Sequence, residues 1–303
     1  SYPNTHLSPQ IFQALPKMSG MDNLLTEAKK YYKVNNNSQI IAGPGTQSIL
    51  QNLPLLFPKR KIYILTPTYN EHQYTWEQAG NKVLPVNTLT AIPHGVIGIV
   101  VNPNNPNGRK YQVEDLLNLS KNLELLVIDE AFCDHLPNLS VIPHLVRHKI
   151  LVLRSLGKFF GLAGLRLGFA VGMPEITQQL LTRLGPWAVS GPATEIGTRA
   201  LSDTSWTSEM RKILKSKSLR LNNILEKQNF LILGGTTLFT LIKTDHAPII
   251  FRALASEGIL VRRFENYKTW LRIGLPGAEN EWQKLENVLN STLNTIDNMR
   301  KRA

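Results

Sequence analysis

The sequence predicts an α/β protein with a mainly parallel sheet, followed by a smaller α+β domain. Three observations indicate this fold class. Short apolar runs alternate with helical stretches from about residue 39 to residue 172, and the pattern changes after the turn-rich segment 184–192. Apolar residues make up 42% of the 303 residues, which is enough for a substantial core. At roughly 100–200 residues per domain, this length suits about two domains.

The first part of the chain alternates between strand and helix patterns, which is typical of an α/β domain. The predicted strands are short and apolar, and many are bounded by Gly, Pro or Asn, as in strands buried on both faces of a parallel sheet. They are residues 39–42, 61–65, 82–86, 96–101, 125–128, 150–154 and 167–171. Helical periodicity at 47–56 and 113–121 lies between them.

The second part contains longer helices and fewer strands. Helices are predicted at 195–201, 206–228 and 279–299, and strands at 230–233, 237–242, 259–262 and 270–273. The chain therefore divides into a polar N-terminal segment at 1–38, a large domain at 39–190 and a small domain at 191–303.

Composition excludes several classes of protein. The formal net charge is +12, yet charged residues are only 18% of the chain, below the typical ~25%. One cysteine, Cys133, excludes an internal disulfide and a multi-cysteine zinc site, and it indicates a reducing compartment. No apolar run approaches the ~18 residues of a membrane span. The histidines lack metal-ligand spacing, and the basic run at 211–220 is interpreted as a solvated helix face, so neither a metal nor a nucleic acid is expected.

Four polar clusters follow predicted strands, and ligands of open α/β sheets bind at the carboxyl ends of strands. The first cluster, 43–47, reads Gly-Pro-Gly-Thr-Gln. Its glycines allow close approach of the backbone to an anion and Thr46 adds a hydroxyl, although an ordinary turn has the same composition. The second cluster, 102–108, has four asparagines, two prolines and a glycine. It is either a simple rigid turn or one that holds an amide against a ligand.

The third and fourth clusters carry charged groups. Asp129 and Glu130 follow an apolar run, and a buried carboxylate needs a cation or a protonated nitrogen, so either a ligand or a local salt bridge satisfies Asp129. In 155–166, Lys158 has apolar and glycine neighbours, which favours a nucleophilic amine over a basic surface loop. Ser155 and Arg166 are groups that bind phosphate.

In their order and spacing, these motifs resemble those of the aspartate aminotransferase class of pyridoxal-phosphate enzymes. These enzymes have fold type I and include aminotransferase class I/II. The Ser-x-x-Lys segment with an arginine eight residues after the lysine is the most specific match. The resemblance implies that Lys158 forms the internal aldimine with pyridoxal 5'-phosphate, that Asp129 pairs with the ring nitrogen, and that Asn105 donates to the ring oxygen. It also implies that Tyr69 stacks on the ring. The implied phosphate ligands are Gly45, Thr46, Ser155 and Arg166.

Three segments, 42–47, 67–72 and 185–192, resemble the threonine-phosphate decarboxylase-like group of cobalamin biosynthesis in particular. This resemblance implies decarboxylation of L-threonine O-3-phosphate to aminopropanol phosphate. The alternative is an aminotransferase that acts on a phosphorylated amino acid such as histidinol phosphate. In either case the resemblance implies a cytoplasmic homodimer with its active sites at the subunit interface.

Two arginines near the end of the chain are predicted to bind substrate. The resemblance places Arg272 where aminotransferases bind the substrate carboxylate. Arg262 is the second candidate, and its alternative role is a surface ion pair. The α-carbon bond that stands perpendicular to the cofactor ring is the bond that breaks. The arginines that hold the carboxylate and phosphate groups therefore decide between decarboxylation and transamination. Phe132 and Gly157 depart from the family pattern, which often has Tyr and Ser or Thr there.

Overall fold

A computed structural model describes residue 2, residues 7–146 and residues 148–302, without the side chains of 299–302. The chain forms two compact units. One spans Ser1–Asn105 and Lys110–Ser208, and the other spans Pro106–Arg109 and Glu209–Ala303. Among the helices described, none is long and apolar enough to cross a membrane.

The first unit is built on a seven-stranded sheet with the strand order β1-β7-β6-β5-β4-β2-β3. Its strands are β1 (Gln39–Gly43), β2 (Lys61–Leu65), β3 (Lys82–Val86), β4 (Ile97–Val101), β5 (Leu125–Asp129), β6 (Ile150–Ser155) and β7 (Gly168–Gly172). β7 is antiparallel to both of its neighbours, whereas β2 to β6 pair in parallel. All residues of β4 to β7 are buried, as the apolar runs predicted. The predicted fold class is confirmed.

Among the residues described, seven α-helices lie wholly within this unit. They are α1 (Gln10–Gln13), α2 (Met18–Tyr32), α3 (Thr46–Asn52), α4 (Asn70–Gln78), α5 (Val113–Ser120), α6 (Pro174–Leu184) and α7 (Gly191–Ser202). The helices α2, α4 and α6 were not predicted. In α2 only Leu24, Ala28 and Tyr32 are buried. Its apolar stripe is therefore one residue wide in a polar segment, which is why its helical pattern was missed.

The second unit is an antiparallel four-stranded sheet with helices, as predicted for an α+β domain. Its elements are β8 (Leu231–Thr236), β9 (Phe239–Lys243), α9 (Ala247–Ser256), β10 (Arg262–Phe264), β11 (Tyr267–Gly274) and α10 (Glu279–Arg302), and the strand order is β10-β11-β9-β8. The helix α8 (Thr204–Lys227) contains the point at which the chain passes from the first unit to the second. A separate apolar core includes Trp282, Leu285 and Leu289.

Two sequence-based boundaries differ from the structure. The prediction divided the chain after residue 190, but α7 packs against α2, so residues 191–208 belong to the first unit. The strand predicted at 259–262 begins only at Arg262. The Ile259 amide donates to the Leu254 carbonyl at 2.8 Å and so closes the end of α9 instead of entering the sheet.

Candidate active site

The carboxyl ends of the parallel strands bring the four polar clusters to one edge of the first unit's sheet. Gly43 at the end of β1 lies opposite Gly168 at the start of β7, and Gly168 lies opposite Ser155 at the end of β6. In the same way Val101 at the end of β4 lies opposite Asp129 at the end of β5. The register therefore places the residues that follow these strands next to one another, as expected of a ligand site in an α/β sheet.

The loop after β1 is folded tightly against the segment that precedes β7. Gly45 has φ 77°, and a Cβ atom there would lie 2.5 Å from Nη2 of Arg166. A Cβ atom on Gly168 would lie 2.5 Å from the backbone nitrogen of Thr46. Gly45 has a positive φ that residues with a side chain rarely adopt, and at Gly168 the Thr46 amide occupies the space that a side chain would need. The structure thus brings Gly45, Thr46 and Arg166 together, with Ser155 in the adjacent strand.

Two asparagines of the turn after β4 fix its shape. The Asn102 side chain donates to the Tyr111 carbonyl at 3.1 Å and accepts from the Tyr111 amide at 2.9 Å. The Asn104 side chain donates to the Pro67 carbonyl at 2.7 Å and accepts from the Thr68 hydroxyl at 3.0 Å. This turn is therefore attached to the loop after β2. The predicted cofactor ligand Asn105 follows Asn104 in the chain and is half-buried.

Asp129 is buried at the end of β5, and its carboxylate has partners on both oxygens. Oδ2 lies 3.0 Å from Nε2 of His72, and Oδ1 accepts from the Ala131 amide at 2.9 Å. The sequence predicted that this carboxylate needs a cation or a protonated nitrogen, but it did not identify His72 as a partner. His72 is fully buried in the first turn of α4, three residues after Tyr69. That spacing from the predicted stacking residue is the signal that could have identified it.

Glu130 points into a different environment from its neighbour Asp129. Its carboxylate accepts from Nη1 of Arg154 at 2.7 Å, from the Ser140 hydroxyl at 2.6 Å and from the Val141 amide at 2.9 Å. Arg154 also donates through Nη2 to Asp134 at 2.6 Å. The sequence left a local salt bridge as the alternative role of Asp129, but the arginine bridge is made by its neighbour Glu130. We term Glu130, Arg154 and Asp134 the buried ion network.

Lys158 lies in the loop between β6 and β7, three residues after Ser155. Its Nζ is 5.4 Å from the centroid of the Phe132 ring, which follows the Asp129 segment, and the Lys158 side chain is exposed. Tyr69, the N-cap of α4, is 38% exposed and meets the edge of the His72 ring at a centroid distance of 6.1 Å. A cation and an aromatic ring are therefore both accessible at this edge of the sheet.

The predicted substrate arginines belong to the second unit and lie opposite each other. Arg262 in β10 pairs in register with Arg272 in β11. The Arg272 guanidinium packs over the Phe239 ring at 4.8 Å. Its pKa is lowered from the ordinary value, first by burial and then by the charge of Arg262. Two opposed cations, one of them partly desolvated, favour binding of an anion. Arg263, on the other face, packs over Phe251.

In the part of the chain that the structure describes, no cluster of three or more His, Cys, Asp or Glu side chains has the geometry to hold a metal ion. Cys133 is fully buried beside the buried ion network, and burial raises the pKa of its thiol. It is a core residue rather than an exposed nucleophile.

Comparison with known proteins shows close relatives. The chain is 40% identical to a threonine-phosphate decarboxylase of Sinorhizobium sp over 270 residues, covering 86% of this chain and 80% of the relative. It is 36% identical to a threonine-phosphate decarboxylase of Pseudomonas aeruginosa over 288 residues, covering 92% and 85%. The crystal structure of histidinol-phosphate aminotransferase from Sinorhizobium meliloti in complex with pyridoxal-5'-phosphate has the same fold. Its TM-score is 0.83 at 19% identity, covering 95% of this chain and 88% of that one.

The family follows from a match over most of the chain. The family model for aminotransferase class I and II matches residues 2–290. Pyridoxal phosphate, the predicted cofactor, is the cofactor that this family implies. The roles assigned to individual side chains stay predictions. The chain belongs to the aminotransferase class I and II family of pyridoxal-phosphate enzymes.

Proposed function

We propose that the protein decarboxylates L-threonine O-3-phosphate, releasing CO₂ and aminopropanol phosphate. The observation that carries this proposal is the match to two threonine-phosphate decarboxylases at 40% and 36% identity over 86% and 92% of the chain. In the reaction the bond between the α-carbon and the carboxyl carbon breaks, and a proton replaces the carboxyl group on the α-carbon. The substrate is a phosphorylated amino acid.

The residues at the sheet edge fit pyridoxal phosphate. The lack of a side chain at Gly45 and Gly168 lets the Arg166 guanidinium and the Thr46 amide lie close together in the loop after β1, and both groups suit an anionic phosphate. The buried Asp129 carboxylate suits a protonated ring nitrogen, and the Lys158 amine suits covalent attachment. When it is bound, pyridoxal phosphate supplies an electron sink for the bond that breaks.

We assign the remaining tasks to residues of this protein. Gly45, Thr46, Ser155 and Arg166 are proposed to bind the phosphate of the cofactor. Asp129, held by His72 and the Ala131 amide, would keep a proton at the ring nitrogen. Asn105 would donate to the ring oxygen from a turn that Asn102 and Asn104 fix, and Tyr69 would stack on the ring.

The lysine and the two arginines act on the substrate. The Lys158 amine would carry the proton that replaces the carboxyl group on the α-carbon. Arg262 and Arg272 are proposed to bind the two anionic groups of the substrate and so to set which α-carbon bond breaks. Their opposed positions within the second unit and the partial burial of Arg272 support this role.

The test is an assay of CO₂ release from O-phosphothreonine by the purified protein with pyridoxal phosphate. We expect one CO₂ per aminopropanol phosphate, with no requirement for 2-oxoglutarate. The same preparation is given histidinol phosphate with 2-oxoglutarate. Formation of glutamate in that reaction, without CO₂ from O-phosphothreonine, would replace the proposal with the aminotransferase alternative.

We also propose that the protein is a homodimer in the cytoplasm. Its first unit exposes large apolar side chains that an interface would cover: Phe12, Leu15, Met18 and Trp187 are each more than 60% exposed. The lone buried Cys133 suits a reducing compartment. Sedimentation equilibrium is expected to give twice the chain mass of 34.1 kDa. A single species at the chain mass would exclude the dimer.

A further inference from the structure

We propose that Gln47 and Glu71 form a positioning pair, which fixes the first turn of α4 relative to the loop that follows β1. Nε2 of Gln47 donates to Oε2 of Glu71 at 2.8 Å. This inference rests on the proposed function in one respect, namely that pyridoxal phosphate occupies this edge of the sheet.

The two residues stand beside the groups assigned to opposite ends of the cofactor. Gln47 directly follows Thr46 at the start of α3. Glu71 lies between Asn70 and His72 in the first turn of α4, two residues after Tyr69. One hydrogen bond therefore connects the proposed phosphate-binding loop with the turn that carries the ring-stacking tyrosine and the partner of Asp129.

The environment of the pair makes this bond stronger than an ordinary surface contact. Both side chains are half-buried, and the acceptor is a carboxylate, so the bond is charge-assisted. The adjacent His72 reaches Asp129 from the same turn. Glu71 and His72 thus attach this turn to two separate strand ends, β1 through Gln47 and β5 through Asp129. Loss of either attachment lets the turn, and Tyr69 with it, shift.

The helix α4 also carries an exposed pair of the same chemistry. Nε2 of Gln73 donates to Oε1 of Glu77 at 2.8 Å, and both side chains are exposed. Gln73→Met and Glu77→Met therefore remove a bond of the same type and length away from the proposed site. They are the matched controls for Gln47→Met and Glu71→Met, since methionine preserves side-chain length without the hydrogen bond.

The experiment measures the dissociation constant of pyridoxal phosphate and the visible circular dichroism of the bound cofactor for each variant. We expect Gln47→Met and Glu71→Met each to raise the constant about 10-fold, the effect of losing one hydrogen bond to a charged group. Because the two single variants remove the same bond, the double variant should also raise the dissociation constant about 10-fold, not about 100-fold. Glu71→Gln keeps an acceptor, so its dissociation constant should stay within about 3-fold of the wild-type value. Only the methionine variants of this pair should change the circular dichroism of the bound cofactor.

Three results would overturn the proposal: single variants that bind like the wild type, a double variant whose effect is the product of the singles, or control variants with equal losses. If Glu71→Met does not fold, Gln47→Met and Glu71→Gln still decide the outcome. The binding readouts do not depend on the reaction catalysed. A wild-type protein that binds pyridoxal phosphate but releases no CO₂ would therefore reject the decarboxylase function and leave the positioning pair to be judged separately.

Discussion

At the scale of single residues, two adjacent acids serve different purposes. Side chains alternate along a strand, so Asp129 and Glu130 point to opposite sides where β5 ends. Asp129 faces the edge of the sheet and is held by His72, whereas Glu130 faces the buried ion network. Asp129 is therefore the acid that we propose to meet the cofactor, whereas Glu130 belongs to the interior.

Replacing His72 tests the support of Asp129. His72→Leu removes the nitrogen that contacts the carboxylate and leaves a buried acceptor without that partner, so we expect a loss of about 1–3 kcal/mol in the free energy of unfolding. Urea denaturation of the cofactor-free protein measures it, together with the affinity for pyridoxal phosphate. His72→Asn keeps a polar group and should lose less. Equal losses for the two variants would show that packing, not the hydrogen bond, is what His72 provides.

Cys133 gives a second prediction at this scale. The residue is fully buried, and burial raises the pKa of its thiol above the ordinary value, so the thiol stays protonated through mildly alkaline pH. At about pH 8 we expect labelling by a thiol reagent to be at least about 100-fold slower in the folded protein than in urea, because the thiolate is the reactive species. Rapid labelling of the folded chain would contradict this burial.

At the scale of secondary-structure elements, the site depends on how closely β7 approaches the loop after β1. Gly168→Ala would place a Cβ atom 2.5 Å from the Thr46 amide nitrogen. Overpacking of this kind costs about 1–3 kcal/mol in the free energy of unfolding. The displaced Thr46 should also weaken binding of pyridoxal phosphate about 10-fold or more.

Gly164→Ala is the control for this effect. Gly164 lies in the segment that leads to β7, and a Cβ atom there would meet nothing within 4 Å. We expect wild-type cofactor affinity and stability from this variant. If both alanine variants lose affinity alike, the close approach at Gly168 is not what shapes the loop.

The elements also show why sequence predicted some features and not others. The strands β4 to β7 were predictable because they are apolar along their whole length, and the motifs at their ends marked the candidate site. The helices α2 and α4 were not predictable from the sequence, because their buried faces are narrow. The His72 contact with Asp129 and the Gln47–Glu71 bond depend on where α4 lies in space, which no local pattern in the sequence contains.

At the scale of the whole molecule, the buried ion network joins distant parts of the first unit. Glu130 follows β5, Arg154 lies in β6, and the Arg154 guanidinium also packs over the ring of Tyr32 at the end of α2. The charges compensate one another only as a set, because a buried carboxylate without its partner is costly.

Arg154→Met tests this network. It leaves Glu130 and Asp134 as buried carboxylates without their guanidinium, so we expect a loss of about 3–5 kcal/mol in the free energy of unfolding. Arg220→Met is the comparison, since Arg220 forms an exposed ion pair with Glu279. That variant should unfold at the wild-type urea concentration. Similar midpoints for Arg154→Met and the wild type would mean that the network does not stabilise the fold.

We propose that Lys158, at the edge of the parallel sheet, carries pyridoxal phosphate. Borohydride reduction of the protein with its cofactor, followed by proteolysis and mass spectrometry, tests this most directly, because reduction fixes the pyridoxyl group to the amine that holds it. We expect the modification on the peptide that contains Lys158. In Lys158→Ala we expect neither fixed cofactor nor the visible absorbance of bound cofactor. A pyridoxyl group on another lysine, or retained by Lys158→Ala, would contradict it.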